Sequence, residues 1–397
     1  MQLPINLNAV IDEATNINEA RSTPISVSIF IDESAPADLQ VLIQQSFSSS
    51  SLHAKVNASY FPTMPLDISQ ADDMAVIIAG LDHNISRYAA SIREAGVPVM
   101  VVTTLPRLVK DIARASGLAL LDADIISPTK FGSSKALEAK TKAQKMLVEQ
   151  EPIALGNETT ESLLENMGEW ILETCKEKRL AFALAFSFMR KPLSLETVNA
   201  TALQNAGVGL VVFIPGADMP IMTLNQAKML LKIAAAYGQP LNIERVKELG
   251  VIVGGGFALR SVARQAVAFV PALGWAIKAG IGYTGTVAMG RAAIEYFESG
   301  GNLQGLAGVA VKARDKVVEA AAAVSQQKNP KEALKNFGVH AGSTISRAAK
   351  RAVPFVASTA DSAMSTVVDS GIVSPDTAKK ANVIKDLIVN RKQKGKN

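Results

Sequence analysis

Residues 251–290, VIVGGGFALRSVARQAVAFVPALGWAIKAGIGYTGTVAMG, place the narrowest limits on what this chain can fold into. The run is too apolar and too rich in glycine for an ordinary surface helix pair. It also carries Arg260, Arg264 and Lys278, so it is no clean membrane span. An isolated charge in a lipid core costs at least about 2.5–3.5 kcal/mol. Insertion at the interface, or as a hairpin, therefore fits better than a crossing. Ala268, Ala272, Ala276, Gly280, Thr284 and Ala288 fall on every fourth residue. Small side chains on such a row form a ridge that lets a second helix approach closely. Pro271 is expected to kink this helix near its start. Water-soluble helical cores use the same device, so a homo-oligomer interface or a plain internal core is the alternative reading.

The residues leading to this centre read as helices. Residues 161–189 show helical spacing and are expected to form one long helix, ended by Lys191-Pro192. Ser194 is placed to cap the next helix, which extends to about Ile214. Residues 197–217 hold no charge, but Thr201, Gln204 and Asn205 interrupt them. Pro215, Gly216 and Asp218 then make a turn. Thr223-x-x-Gln226 has the form of a capping box, and Tyr237-Gly238 with Pro240 ends the helix it would start. Beyond Gly300-Gly301 the chain is alanine-rich and basic. Residues 379–396 carry seven basic residues against one Asp.

The front of the chain is of a different kind. Residues 25–31, 74–80 and 97–103 are continuous apolar runs, as strands buried on both faces require. Residues 55–61 and 118–126 read as further strands. Helical stretches at 36–47, 84–95 and 107–116 alternate with them, so this part is α/β with a mainly parallel sheet. Charge separates the two parts. Residues 1–100 hold eleven acidic and four basic side chains, about −7, so the overall +5 leaves about +12 for the rest. A basic body suits an anionic lipid surface. Nucleic acid is not expected, because no arginine–aromatic cluster accompanies the charge. The single cysteine, Cys175, allows no internal disulfide and points to a reducing compartment. The first residues, Met1-Gln2-Leu3-Pro4, do not read as a signal peptide.

The front has the alternation of a small GTPase but lacks its chemistry. A phosphate-binding loop needs glycines whose N–H groups wrap the phosphates, a Lys, and a hydroxyl for Mg²⁺. Here the first strand runs into Asp32-Glu33-Ser34-Ala35-Pro36, and no glycine precedes Gly80. Two carboxylates at that turn would repel phosphate. A magnesium-sensing Asp-x-x-Gly is replaced by Asp67-Ile68-Ser69-Gln70. A guanine-reading Asn-Lys-x-Asp is replaced by Thr103-Thr104-Leu105-Pro106. No other catalytic set stands in. His53, His83 and His340 have no ligands at metal-binding spacing. Asp122-x-Asp124 reads as solvated. Residues 80–83 lie at a strand end, where open sheets often carry sites.

The body resembles a known family. The residues that carry the likeness are Phe182-Ala183, Asn205, PGADMP at 215–220, Leu224-x-Gln226, Met229 and IAAAYG at 233–238. VGGGFALRSVARQ at 253–265 and VPALGWAIKAGIGYTGTVAMGRAAIEYF at 270–297 complete it. They are similar to the YcjF-like bacterial domain of unknown function. That resemblance implies a helical, membrane-associated domain found behind or beside GTPases, with no catalytic residues to carry over.

The expected organisation is an irregular N-terminus (1–22), a degenerate GTPase-like α/β domain (23–128) and a polar linker (129–157). An all-α hydrophobic domain (158–300) and a basic helical tail (301–397) follow. The expected function is a non-enzymatic scaffold or regulator on the cytoplasmic side of the cell membrane, without cofactor, metal or nucleotide. Its head would bind a protein partner, with a GTPase among the candidates. Its body would meet lipid or self-associate, with Arg260, Arg264, Lys278 and Arg291 as contacts. The alternative is a soluble helical homo-oligomer or GTPase partner with no membrane contact.

Overall fold

The structure is a computed structural model that describes residues 19–60, 68–129, 151–211, 218–239 and 274–300. Its first part is an open parallel sheet. The strands are β1 (Ile25–Ile31), β2 (Ala54–Tyr60), β3 (Met74–Ile78), β4 (Val99–Val102) and β5 (Ile125–Ile126). Their spatial order is β2-β1-β3-β4-β5, and every neighbouring pair is parallel. Between them run α1 (Ala37–Ser46), α2 (Ile85–Glu94) and α3 (Pro106–Ala115). The apolar runs at β1, β3 and β4 are buried on both faces, as their sequences require. α2 ends at Gly96, whose φ of +84° is a left-handed conformation that glycine adopts without strain. The strand expected over 118–126 is real only at its last two residues.

The compact unit that contains the sheet extends well past residue 128. Of the described residues it takes in 19–60, 68–129, 151–197 and 230–239. α4 (Asn157–Thr174) packs its Leu163, Met167 and Ile171 into the same core as β1, β3 and α1. Trp170 donates its indole N–H to Asp124 at 3.3 Å, and Arg93 holds the other oxygen of that carboxylate at 2.7 Å. Asp122 pairs with Lys110. The two aspartates expected to be merely solvated are thus ion-paired.

The single long helix expected over 161–189 is broken. After α4 come a short turn at Lys176–Lys178, α5 (Arg179–Ala185), a second turn at Ser187–Met189, and α6 (Arg190–Val211). The reason lies in the core. Arg179 donates its Nε to Leu172 O at 2.6 Å across the break. The turned chain then sets Phe186 edge-on to Phe47, with ring centroids 5.1 Å apart. A straight helix could not send its all-round apolar second half into the sheet core. Lys191-Pro192 does not end a helix either. It lies in the first turn of α6, where a proline's missing N–H is harmless. Pro192 rests on Gly168, where a Cβ would come within 2.5 Å of it. Ser194 is accordingly not a cap. It sits inside α6, buried, and its hydroxyl has no partner among the described residues.

The described part of the second compact unit comprises residues 198–211, 218–229 and 274–300, so the boundary falls within α6 and within α7 (Asp218–Ala236). These hold the rest of those two helices with α8 (Gly274–Glu298). α7 starts at Asp218, five residues before Thr223, so the capping box is not a cap. Gln226 instead turns its side chain into the unit's interior.

Candidate functional site

In an open parallel sheet, ligands bind outside the carboxyl ends of the strands, where the chain order reverses. Here that place lies between β1 and β3. It is closed by one side chain, Asp32, the residue that follows β1. Asp32 is 2% exposed. Its Oδ1 accepts from Ser34 N at 2.8 Å and Ser34 Oγ at 2.7 Å. Its Oδ2 accepts from Gly80 N at 2.8 Å and Asp82 N at 3.1 Å. The Ser34 hydroxyl also accepts from Leu81 N at 2.6 Å. The carboxylate therefore sits where the N–H groups of a phosphate loop would hold an anion, and it takes those donors for itself.

Gly80 makes the closure possible. A Cβ there would collide with Ala35 N and lie 2.5 Å from Ser34 C. The turn after β3 can meet the turn after β1 only because nothing projects between them. Around this centre, Asp82 accepts from Asn84 N at 2.7 Å at the start of α2. His83 is exposed and 3.8 Å from Asp82. The Thr103 hydroxyl accepts from Leu105 N at 2.9 Å, and the buried Thr104 hydroxyl has no partner among the described residues. Glu151, from a distant part of the sequence, takes both free N–H groups at the start of α3, Arg107 N at 2.8 Å and Leu108 N at 3.1 Å. A second natural anion position is thus also filled from within the chain.

At the opposite end of the sheet, Asp72 is buried and held by the hydroxyls of Ser26 at 2.6 Å and Ser28 at 2.5 Å. Asp73 pairs with Lys178 at 2.6 Å. Beside it, burial pushes the Cys175 thiol up to about 11, the Asp73 charge adds to this, and Lys178 opposes it. That thiol stays protonated near neutral pH and is a poor nucleophile.

In the second unit, α6, α7 and α8 share a buried polar cluster. Thr286 is its hub. Its hydroxyl accepts from Asn205 Nδ2 and Gln226 Nε2, each at 2.9 Å, and donates to Gly282 O at 2.6 Å. Asn225 donates to Asn205 Oδ1 at 2.9 Å. Asn205 and Gln226 were legible as residues of the family resemblance. Thr286 also lies in a quoted stretch, at 270–297, whereas Asn225 does not, and only a register of three helices shows that the four meet.

Of the expected contact cations, Arg260 and Arg264 lie outside the described residues. Lys278 falls within α8. Arg291 is exposed on α8, one turn before the exposed Glu295. Of the small-residue ridge, Ala268 and Ala272 lie outside the described residues, Ala276 and Gly280 fall within α8, and Thr284 and Ala288 are half-buried. The close approaches occur on a neighbouring row. A Cβ on Gly282 would lie 3.1 Å from Asn205 O, and one on Gly290 would collide with Val198. Of the expected turn, Pro215 and Gly216 lie outside the described residues, and Asp218 is the first residue of α7. Among the described residues no group of His, Cys, Asp and Glu could hold a metal ion, and no helix is long and apolar enough to cross a membrane. Searches of protein-family models, curated proteins and solved structures return no match for this chain.

Proposed function

We propose that the chain is a non-catalytic scaffold or regulator, with an α/β head that binds a protein partner and a helical body that meets an anionic lipid surface. The observation that carries this reading is the closed crevice. A sheet whose switch point is taken by its own Asp32 has its backbone donors already spent, and a phosphate there would meet a fixed negative charge. Binding through the outer surface is then the use left to the head. A head derived from a GTPase-like domain, and a YcjF-like body, are the finer form of the same reading, supported by the residues quoted for each. The binding role does not depend on that ancestry.

For the body, support comes from the basic charge behind residue 100 and from the apolar, cation-bearing run at 251–290. With charges spread through it, attachment would be interfacial. The test is sedimentation of the full chain with phosphatidylserine-containing and purely zwitterionic vesicles. Binding to the anionic vesicles, weakened at least tenfold by the double variant Arg260→Glu/Arg264→Glu, is expected. Binding that is absent, or unchanged by the double variant, would overturn the lipid reading. It would favour a body that is its own helical core, for which the close approaches within the chain at Gly282 and Gly290 speak.

A further inference from the structure

Two buried groups in the first turns of α6 have no partner among the described residues. Arg190, half-buried at the start of the helix, keeps its Nε–H inside without an acceptor. Ser194 is 0% exposed, and its hydroxyl is unpartnered too. The two stand four residues apart, so they share one stripe of the helix. Cα–Cβ bonds tilt toward a helix N-terminus, which leans Ser194 over the turn that carries Arg190. A serine or threonine inside a helix can turn its hydroxyl back to the carbonyl one turn earlier. Thr197 does so with Leu193 O at 2.8 Å, and Ser194 does not. The carboxylates that meet this stretch serve other cations. Glu161 and Glu165 hold Lys191, and Glu196 holds Arg179. A guanidinium stays charged at any pH the fold survives, so Arg190 cannot escape by losing its proton. Buried polar groups are nearly always paired, and two left over on one stripe mark a place for an acceptor.

We propose that Arg190 and Ser194 bind a small free oxyanion of the phosphate class. The guanidinium gives a charge-assisted hydrogen bond, the serine hydroxyl gives a neutral one, and oxygens of one anion accept both. The start of α6 adds the positive end of the helix dipole. A water molecule accepts the same two bonds but leaves the half-buried charge unanswered. The enclosure of Ser194 limits the ligand to a free ion and excludes a lipid headgroup, and the half-exposed Arg190 is the side from which the ion enters. The site belongs to the sheet unit and uses none of the residues that close the crevice at Asp32. It stands whether or not the body meets lipid.

The test uses the full chain at fixed ionic strength, with inorganic phosphate exchanged for chloride. Calorimetry reads binding, and circular dichroism reads the thermal melt. Phosphate should bind the wild-type chain and raise its melting midpoint. Arg190→Met keeps the apolar stem without the donors and should weaken phosphate binding by about tenfold or more. Ser194→Ala should weaken it by a smaller factor. In chloride both variants should melt at or above the wild-type midpoint, because each removes a donor that has no acceptor there. Side chains that only support the fold would instead lower the midpoint equally in chloride and in phosphate, and that result overturns the proposal. A wild-type chain that takes up no phosphate overturns it as well, as does an affinity that Arg190→Met leaves unchanged.

Discussion

Replacing Asp32 by Ala tests the closed crevice directly. The substitution removes the acceptor for four donors, Ser34 N, Ser34 Oγ, Gly80 N and Asp82 N. They do not lose equally. Ser34 is exposed and Asp82 half-exposed, so water can replace much of what they lose, whereas Gly80 is buried. A hydrogen bond to a charged group contributes about 1.5–3 kcal/mol, and a buried donor left without a partner costs about 1–3 kcal/mol. One fully orphaned donor with partial losses at the others gives a destabilisation of about 3–5 kcal/mol for the sheet unit. Asp32→Asn keeps one carbonyl oxygen but sets an NH₂ group against two N–H donors, so about half that loss is expected. Ser34→Ala removes one bond to Asp32 and the acceptor for Leu81 N, and should cost about 1 kcal/mol. Urea unfolding supplies the free energies. Amide hydrogen exchange at Gly80 and Asp82 supplies the location, since protection there should fall in Asp32→Ala while the β4 amides are spared. An Asp32→Ala chain within about 0.5 kcal/mol of wild type, with Gly80 still protected, would refute the idea that this carboxylate holds the crevice shut.

Further outcomes follow from other particular contacts. Gly80→Ala should destabilise by more than about 2 kcal/mol in the same unfolding assay, because the new methyl meets backbone atoms of the turn after β1. Thr286→Val keeps the shape but strips the acceptor from Asn205 and Gln226, so a loss of about 2–4 kcal/mol is expected in the helical unit, with Thr286→Ser recovering most of it. Gly290→Ala should destabilise through Val198. Gly285→Ala, with open space around it, should be neutral or stabilise by up to about 1 kcal/mol, and thermal melts separate the two. The raised Cys175 thiol predicts slow alkylation until the pH nears about 11. A thiol that ionises more easily in the unfolded chain lets the unfolded state lose its proton first. Its contribution to stability is therefore full below about pH 9, the unfolded value, and is lost as the pH rises towards about 11. A Cys175→Ala chain should show a flatter stability profile across that window.

The sequence by itself determined the elements whose character is local. Unbroken apolar runs can be satisfied only by strands covered on both sides, so β1, β3 and β4 were legible, as were the helices stopped by Gly96 and Gly238. The absence of a phosphate loop was legible too, because that loop is a contiguous set of residues. The tertiary structure decided what depends on meetings across the chain. Asp32 could be read as a charge hostile to phosphate, but not as the acceptor that ties β1 to the turn after β3, since its partners stand 48 and 50 residues away. Helical periodicity made residues 161–189 one helix. The core needed Phe186 against Phe47, and burying aromatic surface outweighed the few backbone bonds lost at the break. Among the described residues the close helix approaches fall at Gly282 and Gly290, on a row beside the small residues picked out by spacing. Several rows of small residues run along α8, and only the neighbouring helices, with Asn205 and Val198 in place, select Gly282, Thr286 and Gly290. Spacing fixes which residues share a stripe. Which stripe faces inward is a property of the partners, and those come from far along the chain.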